Sequence, residues 1–169
     1  FDTDMLLHAW EQIVAIFVRR NIAKTSLGVF LEELRNRKLK ISDLVGASIK
    51  EDAKYFSDLG QRLDMEPAFL LFITDMLIQP CLEEILVKFD SQFFKDWSQI
   101  FCPICGRKPI IAKLKSRKRY FVCSLCGAEC LTDLFLCVNC GNSDPNFLKF
   151  LAPPEYPKFR IDFCEKCKY

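Results

Sequence analysis

The chain has 169 residues, half of them apolar, with 24 basic and 22 acidic side chains for a formal net charge of +2. Sixteen phenylalanines supply material for a real core, which excludes disorder over most of the length. No run of roughly eighteen uncharged apolar residues exists, so no membrane span is expected; the closest approach, Ala68–Leu86, is interrupted by Asp75, Glu83 and Glu84. No basic segment followed by a cleavable apolar stretch is present, so no signal peptide is expected either. The first residue is Phe rather than Met, from which the true N-terminus is expected to lie upstream.

From the first residue to Trp97 the pattern is helical. Leu6, Trp10, Ile13, Val14 and Phe17 recur at helical spacing between Asp4 and Arg20, with Asp2 or Thr3 available as an N-cap. A second stripe runs Leu27, Phe30, Leu31, Leu34. Ser42 is the expected cap of a third helix carrying Leu44, Val45, Ala47 and Ile49. Pro67 suits the first turn of a helix over Ala68–Ile78, and Pro80 is expected to start or kink the next, roughly Cys81–Phe94. These stripes read as the core of an irregular helical bundle over residues 1–97, not as a cofactor site.

The composition changes after Trp97. Residues 1–97 carry 12 basic and 16 acidic side chains and one cysteine, Cys81. Residues 98–169 carry 12 against 6 and the other nine cysteines. Short apolar runs (Pro109–Leu114, Arg119–Val122, Leu134–Leu136, Lys158–Phe163) alternate there with Gly/Asn/Pro loops and read as short hairpins. They are too small to bury a core unaided, and bound metal would supply the missing stability. The expected class is α+β: a helical domain over 1–97, then two small rubredoxin- or zinc-ribbon-like metal subdomains over 98–169.

Four Cys-x-x-Cys pairs carry this reading: Cys102/Cys105, Cys123/Cys126, Cys137/Cys140 and Cys164/Cys167. Two intervening residues let a tight turn aim both thiolates at one tetrahedral ion, and Gly106, Gly127 and Gly141 follow three of the pairs, where the chain reverses with positive φ. Disulfide scaffolds are shorter and scatter their cysteines, so metal is the expected role. Four pairs make two sites. Sequential pairing, at about 102–126 and 137–167, gives C-x2-C-x17-C-x2-C and C-x2-C-x23-C-x2-C, natural for ribbons. Interleaved pairing would give a RING-like cross-brace; the sequential arrangement is the expected one.

The single histidine, His8, lies far from the cysteines, so both sites are expected to be all-sulfur. Such closed sites leave no open position for water or substrate, which argues against metal-centred hydrolysis. Zinc and iron both accept this geometry. Eight thiolates with two divalent ions contribute −4, so the +6 of residues 98–169 falls to about +2. Cys130 is a candidate extra ligand or redox thiol, although a small buried hydrophobe is the simpler reading, as it is for Cys81. The basic run Arg107, Lys108, Lys113, Lys115, Arg117, Lys118, Arg119 could meet phosphates; in a chain so nearly neutral a solvated hairpin is favoured. No nucleophile has a neighbouring base, and no phosphate-loop or Gly-x-Gly-x-x-Gly motif occurs, so no enzyme activity is expected. A rubrerythrin-like di-iron site needs two Glu-x-x-His motifs, which one histidine cannot furnish.

Trp97, then Phe101-Cys-Pro-Ile-Cys-Gly-Arg-Lys-Pro109, Arg119-Tyr-Phe-Val-Cys-Ser-Leu-Cys126, Glu129, Cys137-Val-Asn-Cys-Gly141 and Asp162-Phe-Cys-Glu-Lys-Cys-Lys-Tyr169 together resemble the formate dehydrogenase accessory protein family (FdhE). The resemblance covers about 97–169 and extends weakly back through Phe69–Leu86. It implies a helical domain followed by two rubredoxin-like subdomains, with the eight paired cysteines as ligands and iron as the metal. It also implies a cytoplasmic maturation role, binding the catalytic subunit of a molybdenum- or tungsten-dependent formate dehydrogenase. Where the family has tryptophan and histidine after Glu129, this chain has Cys130 and Leu131, and Leu134 replaces an arginine; the chain and its first metal loop are also shorter. If the replaced residues touch the client, the client differs. The alternatives are a rubredoxin-like electron-transfer protein and a zinc-ribbon nucleic-acid-binding protein.

Overall fold

The computed structural model describes residues 3–95 and 97–169, apart from the side chains of Thr3, Lys24 and Ser91. The expected α+β architecture is found: helices first, then two small antiparallel sheets bearing the cysteines. Two compact units divide between Glu84 and Ile85, so residues 85–97 fall with the cysteine-bearing part.

The first unit is built from α1 (Thr3–Arg19), α2 (Lys24–Arg35), α3 (Ile41–Lys50), α4 (Ala53–Leu63) and most of α5 (Pro67–Leu86). The helical stripes converge as their spacing requires. Trp10 and Phe30 meet edge to face at 5.5 Å, and Leu27, Leu44, Leu70 and Ile73 are fully buried around them. Two buried hydroxyls have partners: Ser48 donates to Asp75 at 2.6 Å and Thr74 to the Leu70 carbonyl at 2.7 Å.

Local capping explains where the sequence reading and the fold differ. Ser42 lies inside the first turn of α3, which starts at Ile41 after Lys40, and its hydroxyl turns to Asp43. Thr3 already lies within α1, and the cap proposed at Asp2 falls outside the described residues. α4 has no counterpart in the expected elements, yet Asp52 caps it by accepting from the Tyr55 amide at 3.0 Å, and Phe56, Leu59 and Leu63 are its buried face. Gly60 on α4 is obligatory, because a Cβ there would lie 2.6 Å from the Met65 carbonyl oxygen. Pro80 sits inside α5 without ending it, so the expected break between Ile78 and Cys81 is absent. The chain instead leaves the helix after Leu86, and Asp90 begins the short α6 (Ser91–Lys95) by accepting from the Gln92 amide at 2.6 Å.

The second unit holds the end of α5, then α6, β1 (Ile111–Lys115), β2 (Lys118–Val122), β3 (Glu129–Thr132), β4 (Leu148–Leu151) and β5 (Ile161–Cys164). The first three strands form one antiparallel sheet in the order β1-β2-β3, and β4-β5 form another. Ser116 and Arg117 both have positive φ and close the β1–β2 hairpin, which matches a right-twisted ribbon. The expected strand at Leu134–Leu136 is not one; those residues bend between the two sheets, while β3 and β4 were not anticipated. Phe89, Phe93, Phe94, Trp97 and Phe101 form a chain of ring contacts leading to the first cysteine turn, where the Trp97 indole donates to the Phe101 carbonyl at 2.7 Å.

Candidate metal centre

Four turns of one design carry the eight cysteines. In each, the amide of the first cysteine donates to the carbonyl five residues on: Cys102 to Arg107, Cys123 to Ala128, Cys137 to Asn142 and Cys164 to Tyr169, all between 2.8 and 2.9 Å. The residue after the second cysteine donates back to the first cysteine's carbonyl, at 2.8–3.0 Å. That residue must take positive φ. Gly106 (77°), Gly127 (73°) and Gly141 (71°) do so as glycines, whereas the fourth turn places Lys168 at 61°. The motif thus tightens each turn until both thiols point to the same side.

The turns combine in chain order. Cys102, Cys105, Cys123 and Cys126 form one group and Cys137, Cys140, Cys164 and Cys167 the other, with all sulfurs of a group within 4.8 Å of one another. Interleaved pairing is not what the fold makes. The closest sulfur pairs in the first group are Cys102–Cys126 and Cys105–Cys123, each at 3.4 Å. In the second they are Cys137–Cys167 at 3.6 Å and Cys140–Cys164 at 3.9 Å. A tetrahedron with metal–sulfur bonds of about 2.3 Å has edges of about 3.8 Å, so both donor sets fit one four-coordinate ion. None of these contacts is a disulfide.

Electrostatics points the same way. Packed this closely, the first group's thiols can only share protons: Cys102 is drawn down to about 7, chiefly by its hydrogen bond with Cys105, while Cys105 and Cys126 are pushed up by bonding to their ionised neighbours. A cation at the centre would remove that conflict by stabilising all four thiolates. The two groups differ in burial. All four cysteines of the first are buried, whereas in the second Cys140 is exposed and Cys167 partly so. The Asn142 side-chain amide points at the Cys164 sulfur, 3.9 Å away.

The remaining candidates stay outside both groups. Cys130 is buried on β3 opposite Phe121, its thiol pushed up to about 12 by burial and by Cys102 and Cys123. Cys81 is partly exposed on α5. His8 is largely exposed on α1 beside Glu11. Two cations of the basic run, Arg107 and Arg119, are buried rather than solvated. Arg119 was not singled out as structural by its sequence context, yet it ties the two sheets together: its Nη1 donates to the Leu136 carbonyl at 2.8 Å and its Nη2 to Asp162 on β5 at 3.3 Å.

No established family model matches the chain. A protein FdhE homolog of Aquifex aeolicus (strain VF5) is 30% identical to it over 140 residues, which is 80% of this chain and 48% of that protein. The resemblance to the FdhE family is borne out. The crystal structure of the FdhE protein from Pseudomonas aeruginosa matches with a TM-score of 0.60 at 22% identity, over 97% of this chain and 57% of that one, which shows a shared fold. The chain spans about half the length of the curated FdhE relative it matches. The match to the crystal structure covers 97% of this chain, so the likeness of fold reaches well beyond residues 97–169, where the motifs alone had confined its specific part. Two four-cysteine clusters able to hold two metal ions, and the absence of any described helix long and apolar enough to cross a membrane, complete the description.

Proposed function

We propose that this chain is a non-catalytic maturation factor of the FdhE type. It binds the catalytic subunit of a molybdenum- or tungsten-dependent formate dehydrogenase, or of a related redox enzyme, in the cytoplasm and assists its assembly. The similarity to FdhE proteins carries this reading, and the chemistry of the clusters supports it. An ion held by four sulfurs has no open position for substrate or water, so the sites are suited to holding shape. The proposed ligands are Cys102, Cys105, Cys123 and Cys126 for one ion, and Cys137, Cys140, Cys164 and Cys167 for the other. We assign iron to both on the family resemblance; zinc satisfies the same donor set.

Co-purification tests the reading. Tagged chain expressed with a formate dehydrogenase catalytic subunit is expected to retain that subunit through washing. Clean failure to retain any molybdoenzyme or tungstoenzyme catalytic subunit contradicts it.

A further inference from the structure

The second unit contains an open cleft of about 930 Å³ that borders the second cluster, with Cys137 and Cys164 in its wall, and extends well beyond it. It runs between the two sheets, and its walls are apolar side chains left in solvent: Ile111 and Leu114 of β1, Phe135, Phe150 of β4, Phe159 and Ile161 of β5. Their exposure is high; Phe159 is 71% exposed and Phe150 63%. An apolar patch of this kind on a folded surface marks an interaction site.

The backbone around the cleft is equally unfinished. β1 pairs only with β2, and all five of its residues are exposed, so it buries neither face nor its outer edge among the described residues. Consecutive residues Ile110–Leu114 line the cleft. Side chains of a strand alternate, so an unbroken lining run means that the strand offers its edge as well as one face. A free strand edge accepts another extended segment through main-chain hydrogen bonds.

Charge selects the occupant. The charged residues lining the cleft are Lys113, Arg119, Lys149, Lys158, Arg160 and a single acid, Asp162; Cys137 and Cys164 bring the negative second cluster to one side, and the lining stays net positive. Asp162 is already engaged by Arg119 and Arg160, and Lys113 by Glu129. Lys149 and Lys158 are exposed and make no ion pair among the described residues. A second copy of the chain would bring the same cations to the cleft and is disfavoured.

We propose that this cleft is a docking groove for an extended segment of a partner protein, in which apolar side chains alternate with carboxylates. The segment adds to the edge of β1, its apolar side chains enter between Leu114 and Phe159, and its carboxylates meet Lys149 and Lys158. Only the partner's name, a formate dehydrogenase catalytic subunit, rests on the function proposed above; the chemistry of the groove does not.

The test uses the metal-loaded full chain and two labelled ten-residue peptides, one alternating Ile with Glu and one alternating Ile with Lys. The acidic peptide is expected to bind and to protect from hydrogen exchange the amides of Ala112 and Leu114, which alternate with those of β1 that face β2. The basic peptide, and the acidic peptide on a Lys149→Glu/Lys158→Glu variant, are expected to bind about tenfold more weakly or less, while Lys54→Glu on α4 changes nothing. Equal binding of the two peptides, no binding of either, or amides 112 and 114 already protected in a self-associated chain overturns the groove proposal. Co-purification of the same variants with the catalytic subunit separates the two claims. If the wild type retains the subunit and the Lys149→Glu/Lys158→Glu variant retains it equally, the groove is wrong and the accessory role stands. If the acidic peptide binds as described and the wild type retains no catalytic subunit, the groove stands and the accessory role fails.

Discussion

Arg119 on β2 and Asp162 on β5 join the sheet of the first cysteine cluster to the sheet of the second, Nη2 to Oδ2 at 3.3 Å. Arg119 is almost wholly buried, over the Phe121 ring at 4.7 Å, and its Nε has no hydrogen-bond partner among the described residues. Burial draws its pKa below the ordinary arginine value, and Asp162 opposes that fall. The guanidinium is thus held by Asp162, the Leu136 carbonyl and a ring face, with little water to replace any of them.

Removing Asp162 leaves that cation buried with one partner fewer. Asp162→Ala is expected to lower stability by about 2 kcal/mol, read as a fall in the thermal or urea midpoint. Arg119→Met, which removes the cation and keeps the volume, should cost less than Asp162→Ala. An equal or greater loss in Arg119→Met would show that the pair is favourable in itself rather than merely costly to break.

The fourth cysteine turn holds Lys168 where the other three hold glycine, at φ 61°. Lys168→Gly should stabilise the protein by about 1 kcal/mol. Gly127→Ala should destabilise it by a similar amount, although a Cβ there meets nothing within 4 Å; its cost is conformational. Chemical denaturation of the two metal-loaded variants checks both signs.

Unequal burial of the clusters predicts unequal metal retention. A chelator in excess should remove metal in two phases, the fast one from the cluster containing exposed Cys140 and partly exposed Cys167. Cys140→Ser should abolish the fast phase and leave the slow one. A single phase for both ions would show that burial does not govern release.

Cys130 should be inert. Its thiol is pushed up to about 12, so at pH 8 it stays protonated, and only the thiolate is a good nucleophile. In metal-loaded protein, iodoacetamide at pH 8 should label Cys81 before Cys130, as peptide mass mapping would show. Raising the pH toward 11 should increase labelling of Cys130 steeply.

How much of this was legible in the sequence follows from the range of the interactions involved. The helical stripes and the Cys-x-x-Cys turns are local signals, so α1, α2, α3 and both four-sulfur groups could be placed from spacing alone. α4 was readable through Asp52 and the Phe56, Leu59, Leu63 stripe, but its low overall hydrophobicity concealed it. Pro80 misled because α5 runs through it, from Pro67 to Leu86, instead of starting anew after it. The strands β3 and β4 are four residues each, too short for alternation to show, and Leu134–Leu136 mimics a strand while serving as a bend. Arg119 looked like one more surface cation. Its partners include Leu136 and, on β5, Asp162, and the contact with Asp162 spans more than forty positions of sequence.

Native mass spectrometry of anaerobically purified chain and its single-cysteine variants tests the central claim most directly. Wild type should carry two metal ions, Cys105→Ser and Cys164→Ser one tightly held ion each, and Cys130→Ser two. A metal-free chain whose mass shows the paired cysteines oxidised to disulfides, or a Cys130→Ser variant that loses an ion, would contradict it.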